Sequence, residues 1–268
     1  MFCHSLRHEG EELLGGVEGY PDFPWTSGIP LLYPWANRLA EFGYDGVALD
    51  PDSPDLYVMN GLPLHGLRSA VTGWEVVESG ATRLVAGREL DVPEFPFPHR
   101  VEVDAELSKR ALTLTTTVTA HEVPVPIAFG YHPYFKLERD WEIRLPVAER
   151  IVVDERQIPT GEREPAGNLD GPLGSRTFDD GFTVAPDGGP FVLEGGGRRI
   201  EVAFEHGYPC AQIFAPAVSD VICFEPMTAA ADALRRSPRT VAPGASFSAR
   251  FSVAVSRAHA HRQQSGRT

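Results

Sequence analysis

Cysteine is scarce in this chain: Cys3, Cys210 and Cys223 stand alone, with no C-x-x-C pair among them. A secreted disulfide scaffold or a zinc ribbon needs more cysteines at closer spacings, so both are excluded. Cys210 and Cys223 fall in the apolar stretches PCAQIF and VICFEP, where cysteine acts as a small hydrophobe. Also missing is any run of about 18 apolar residues, and the opening MFCHSLRHEGEELL is charged where a secretory leader is apolar. The expectation is a soluble, cytoplasmic protein. Basic charge is short as well: 24 Lys and Arg face 37 Asp and Glu, a formal net charge of −13. Such a surface repels phosphate backbones and anionic headgroups, which argues against nucleic acid or a membrane as partner. No Gly-rich phosphate loop, H-E-x-x-H, G-x-S-x-G or zinc-spaced cysteine set occurs, so no cofactor and no metal are expected.

What is present is a 42% hydrophobic content, enough for a large core, broken up by 26 glycines and 24 prolines spread along the chain. Both residue types interrupt helices and punctuate turns. Between them lie short stretches of two-residue alternation, the period that turns apolar side chains to one face of a strand. Val101, Val103, Ala105 and Leu107 are followed by a Ser-Lys-Arg turn and then Leu112, Leu114, Thr116 and Val118. Trp74–Val77 with Leu84–Ala86, and Phe191–Glu194 with Ile200–Phe204, predict two further hairpins. Phe247, Ala249, Phe251, Val253 and Val255 alternate near the end. One helix is predicted, Pro226–Arg236, with proline in its first turn and arginines at its end. Many short strands with regular turn signals predict an all-β fold, a large antiparallel β-sandwich, as one domain over residues 1–256. The polar tail 257–268, RAHAHRQQSGRT, is expected to be disordered, with the H-x-H pair His259 and His261 solvated in it.

Three segments depart from plain strand patterning. One is Pro34-Trp35-Ala36-Asn37-Arg38 with Leu64-His65-Gly66; another is Phe129 to Phe135, FGYHPYF; the third is Val221 to Thr228, VICFEPMT. Each embeds a titratable side chain among apolar neighbours. Glu225 lies inside a run that otherwise reads as a buried strand end, where desolvation raises a carboxyl pKa unless donors pair with it. His132 sits between Tyr131 and a proline with no other titratable charge in the stretch.

These segments resemble the aldose 1-epimerase (galactose mutarotase) family. The matching pieces are P-x-A-N-R at Pro34–Arg38, N-x-x-x-L-H-G at Asn60–Gly66, GYHPYF at Gly130–Phe135, D-x-x-F at Asp179–Phe182 and CFEPMTAAADAL at Cys223–Leu234. They occur in the family's order. The resemblance implies a β-sandwich with a small-molecule aldose in an open cleft on one sheet. It implies that His132 is the general acid and Glu225 the general base. It further implies that Arg38 with Asn37 binds sugar and ring oxygens, that His65 stands at the anomeric end, and that Asp179 accepts from sugar hydroxyls. Gln212, in CAQIF, falls where the family often places a glutamine near the base. Two departures exist: little precedes the ELLGG stretch, where relatives carry one or two opening strands, and Asp180 beside Asp179 leaves that register open.

The residue types suit mutarotation, in which the O1 proton leaves as the ring oxygen gains one. A positioned base and acid contribute about 10²–10⁴-fold each. A carboxylate needs one lone pair aimed at O1–H, and a histidine with its reference pKa of ~6.5 gives and regains a proton within a turnover. Arginine supplies fixed charge and donors. The acid and base are expected to face one another about a sugar-ring width apart, with Glu225 setting the acidic limb of the pH profile and His132 the basic one. Three other readings stay open. A glycoside hydrolase would pair Glu225 with Asp179; a non-catalytic sugar-binding module would share the fold; and a hexose-6-phosphate 1-epimerase would need a further cation, for which Arg68 is placed.

Overall fold

A computed structural model describes residues 2–18, 23, 25–236 and 238–258. Two nine-stranded antiparallel sheets dominate it. The rear sheet runs Gly171–Pro172, Glu142–Arg144, Phe191–Gly195, Arg198–His206, Ser246–Arg257, Ala111–Ala120, Phe95–Leu107, Arg83–Val92, Glu75–Ser79. All of the hairpins read from the alternation are in it. Ala111–Ala120 shows why they form: every second residue, from Leu112 to Ala120, is buried, and the threonines between them are half-exposed. Pairing Val101↔Val118 and Leu114↔Phe251 puts the apolar sets of three strands on one face. Each such side chain contributes roughly 1.5–3 kcal/mol on full burial.

The front sheet runs Phe2–Cys3, Ile29–Leu32, Gly130–Tyr131, Val221–Met227, Cys210–Ala215, Phe178–Val184, Val147–Val153, Pro159–Pro165, with Tyr134–Lys136 also paired to Val221–Met227. Its inner face and that of the rear sheet share one apolar cluster that includes Ile213, Ile222 and Phe224 with Val101, Phe251 and Val253. Tyr131 meets Phe251 at 5.0 Å between ring centres, and Phe191 meets Phe224 at 5.5 Å. The Thr116 and Tyr131 hydroxyls close a hydrogen bond of 2.7 Å across the two sheets.

All seven residues of Val221–Met227 are buried, because loops cover the outer face of the front sheet. Ile222 and Phe224 point to the inter-sheet core. The alternate residues Val221, Cys223, Glu225 and Met227 therefore point outward, Val221 and Cys223 against Val17 and Tyr134, and Met227 against Trp25 and Leu64.

The helix predicted over Pro226–Arg236 is not there. Pro226 and Met227 complete the strand Val221–Met227, and only a 3₁₀ turn, Ala233–Arg235, follows. Tertiary contacts hold the segment in a different conformation. Thr228 donates its N–H and its hydroxyl to the Phe129 carbonyl at 3.0 and 2.7 Å, and the Asp232 N–H donates to the Arg38 carbonyl at 2.8 Å. Asp232, left-handed at φ 61°, also accepts from the Ala40 N–H at 2.9 Å. Local propensity loses to these contacts. No helix among the described residues is long and apolar enough to cross a membrane. Arg257 still belongs to the strand Ser246–Arg257; the rest of the polar tail from 259 on, His259 and His261 included, lies outside the described residues.

Candidate active site

The cleft opens on the outer face of the front sheet. Two loops form one wall, and left-handed residues shape both. Asn37 has φ 58° and His65 φ 57°, and the two exchange hydrogen bonds. The His65 N–H donates to the Asn37 carbonyl at 3.1 Å, and the Asn37 N–H donates to His65 Nδ1 at 3.1 Å. A backbone N–H cannot accept, so Nδ1 carries the lone pair and His65 presents its proton at Nε2. Gly66 follows at φ 81°, where a Cβ would run into the Tyr33 carbonyl; only glycine fits. A bridge between Arg38 and Leu64 closes the wall. Burial pushes His65 well below the ordinary histidine value, and the nearby His132 and Arg38 push the same way.

The floor comes from the sheet. Gly130 pairs with Met227 and Tyr134 with Cys223, so His132, between those two short strands, lies beside Glu225. His132 Nε2 stands 3.2 Å from Glu225 Oε1. The imidazole stacks flat on the Tyr134 ring, 4.2 Å between centres and 4° between planes, and the Tyr134 hydroxyl lies 3.3 Å from Nε2. Phe214 and His65 meet the same ring edge-on.

Burial pushes the Glu225 carboxyl well above the usual range; Asp179 adds to this and Arg38 opposes it. Burial also takes His132 down to about 3. The contact is thus at ion-pair distance, but both partners are driven toward their neutral forms. We read it as a carboxyl beside a neutral imidazole, because neither oxygen of Glu225 nor Nδ1 of His132 has a hydrogen-bond partner among the described residues, and unsupported buried charges are costly.

The far wall is built by cross-strand register. Gln212 pairs with Glu225, and Asp179 with Phe214. Gln212 Nε2 donates to Asp179 Oδ1 at 2.9 Å. Asp180 turns away to Arg150, 3.0 Å distant, so Asp179 is the aspartate that faces the cleft.

Asn37, Arg38, His65, His132, Asp179, Gln212 and Glu225 all line one cleft of about 240 Å³. The sequence therefore named seven residues that the fold brings together. One expectation fails: His132 and Glu225 touch and do not stand a ring width apart. The register on Val221–Met227 makes them neighbours. The mutarotation that the resemblance implies asks for no more, since O1 and the ring oxygen are bonded to the same carbon, C1. Arg68 does not line the cleft; its guanidinium lies 4.2 Å above the Tyr57 ring. The lining also contains Trp25, Asn60, Tyr134 and Phe214, which were given no role from sequence. Phe214 was findable, since it shares strand parity with Gln212. Trp25 was not, for it meets His65 at 5.6 Å between rings from a part of the sequence, YPDFPW, that shows no periodicity.

Residues 5–254 match the aldose 1-epimerase family. No curated protein sequence matches the chain. Among solved structures, a protein of Escherichia coli K12 described as a candidate aldose 1-epimerase superposes with a TM-score of 0.78 at 23% identity, over 95% of this chain and 92% of the other. A GalM/aldose epimerase homologue of C. elegans gives 0.77 at 15% identity, over 93% and 89%. A galactose mutarotase-like protein of Clostridium acetobutylicum gives 0.75 at 17%, over 89% and 82%. These three share the fold; the match over nearly the whole sequence goes further, and by it this chain belongs to the aldose 1-epimerase family.

Proposed function

We propose that the chain is a mutarotase that opens and recloses the hemiacetal ring of an unphosphorylated aldohexose, with Glu225 as base and His132 as acid. The observation that carries this reading is the 3.2 Å contact of those two buried groups on the cleft floor, with Glu225 Oε2 and His132 Nδ1 lacking a hydrogen-bond partner among the described residues. Membership of the family supports the isomerase class.

The pair holds one proton. Burial keeps it on the carboxyl while the cleft contains no sugar, and Arg38 favours the carboxylate. Sugar hydroxyls donating to the carboxylate tip the pair to carboxylate and imidazolium. Glu225 then takes the O1 proton as His132 gives one to the ring oxygen. The C1–O5 bond breaks, and an open-chain aldehyde results. Rotation about C1–C2 presents the other carbonyl face, the ring oxygen attacks it, and both protons return. The net proton count is zero. Arg38 and the His65 Nε2–H supply donors, while Asp179 and the Gln212 carbonyl supply acceptors for the hydroxyls.

Arg38 is the one cation among the described cleft-lining residues, and it stands with two carboxyls, which favours a neutral sugar over a phosphorylated one. A histidine rather than a second carboxylate beside Glu225 disfavours glycoside hydrolysis. Polarimetry or NMR of α-to-β conversion of glucose, galactose and glucose 6-phosphate tests the proposal. Acceleration of a free aldose above the buffer rate is expected; no acceleration of any sugar overturns it.

A further inference from the structure

Cys223 takes no part in the chemistry above, yet it stands beside the acid/base pair. The strand alternation that turns Glu225 outward also turns Cys223 outward, opposite Tyr134 and Phe214. A nitrogen of His132, the sulfur of Cys223 and a carboxylate oxygen of Glu225 all lie within 4.8 Å of one another, and all three residues are buried. Some point therefore lies within about 2.8 Å of all three atoms, and Zn–N, Zn–O and Zn–S bonds run ~2.0–2.3 Å, so small side-chain rotations close the gap. A second observation points to a ligand: both Glu225 oxygens and His132 Nδ1 are buried without a hydrogen-bond partner among the described residues. A sugar answers the oxygen and nitrogen but has no use for a thiol. One nitrogen, one sulfur and one oxygen, with a fourth position toward the cleft, are the donor set of zinc-class cations.

We propose that His132, Cys223 and Glu225 form an inhibitory site for zinc-class divalent cations, which bind there in place of the sugar. Uptake is ligand exchange without redox chemistry. The cation sheds water; Cys223 releases its thiol proton, and the carboxyl its own where it holds one. The metal then takes the thiolate, the carboxylate and an imidazole lone pair. Two anionic ligands neutralise the +2 charge, which a buried position requires. The lone pairs that move protons are occupied, so mutarotation stops; this last consequence rests on the proposed function, whereas the metal binding does not.

The test uses the full chain with cobalt(II) and zinc salts. One equivalent of Co²⁺ is expected to give a thiolate-to-metal absorption band that Zn²⁺ abolishes. The band should persist in Cys3→Ser and Cys210→Ser and vanish in Cys223→Ser. It should vanish also in His132→Phe, which keeps every thiol and so guards against a folding defect in the cysteine variant. Zn²⁺ should inhibit wild-type mutarotation, with the half-inhibitory concentration raised at least about tenfold in Cys223→Ser, since the soft ligand is gone. No band in the wild type, or a band that survives in either Cys223→Ser or His132→Phe, overturns the site. A band without any measurable mutarotation would instead count against the proposed function alone.

Discussion

His132→Phe should make the protein more resistant to acid, and the size of the effect follows from the site. The ring stack on Tyr134 at 4.2 Å accepts a phenyl ring, so the substitution mainly removes a titrating group. In the unfolded chain His132 takes a proton near 6.5, whereas burial holds it down to about 3 in the folded one. Below pH 6.5 the unfolded state therefore binds a proton that the folded state refuses. Wild-type stability from this residue is intact above pH 6.5 and drains away as pH falls toward 3, at roughly 1.4 kcal/mol per pH unit. The full difference is about 5 kcal/mol. Between pH 6.5 and 4.5 the variant should gain roughly 2.3 kcal/mol on the wild type. Glu225 contributes alike to both proteins while it stays protonated. Urea unfolding curves at half-unit steps from pH 7.5 to 4.5, followed by tryptophan fluorescence, give the difference directly. It should be flat above pH 7 and rise steadily below 6.5. A difference that falls with acidification would mean that His132 is an imidazolium paired with a Glu225 carboxylate in the free protein, and the neutral-pair reading would be refuted.

Glu225→Gln keeps the side-chain shape but accepts no proton, and should lower kcat by at least ~10²-fold with KM little changed, as measured by polarimetry. Arg38→Ala should raise KM as well as lower kcat, since its donors hold the sugar in the ground state too. The profile of kcat/KM should show no break at the ordinary histidine value of ~6.5. The singly protonated pair is the active form, so the acidic limb lies toward the depressed His132 value of about 3 and the basic limb at the raised carboxyl; this reverses the limbs expected from reference values. Gly66→Ala should cost on the order of 3 kcal/mol or more, because φ 81° and the Tyr33 carbonyl both forbid a Cβ. Gly61→Ala, at φ 75° in open space, should cost only about 1–2 kcal/mol in a thermal melt.

The rear sheet was legible because its strands bury one face and expose the other. In Ser246–Arg257 the buried residues are Ala249, Phe251, Val253 and Val255, the same parity that the sequence displays. The front sheet lacks that signature. Val221–Met227 is covered on both faces, so its polarity does not alternate, and Pro226 with the arginines at 235 and 236 reads as the two ends of a helix. What overrode them, the carbonyls of Phe129 and Arg38 and the Ala40 N–H that donates to Asp232, comes from segments about 100 and 190 residues away in sequence. No local window contains that information.

The site divides along the same line. The embedded His65, His132 and Glu225 were readable because a glutamate or histidine among apolar neighbours must be either partnered or used, whereas Asp179 and Gln212 came from the family resemblance alone. How they meet was not readable. The separation of His132 and Glu225 is decided by the pairs Gly130↔Met227 and Tyr134↔Cys223, and a one-residue slip in either would turn Glu225 into the inter-sheet core. The same register buries the pair and leaves both Glu225 oxygens and His132 Nδ1 without a hydrogen-bond partner among the described residues. The pKa values are thereby forced apart from their reference order, carboxyl up and imidazole down. On the proposed function, hydrogen bonds from a bound sugar, together with Arg38, must offset this inversion to move the proton from the carboxyl to the imidazole. The cost appears as lost stability on the acid side, so the urea titration of His132→Phe measures directly how the pair shares its proton in the free protein.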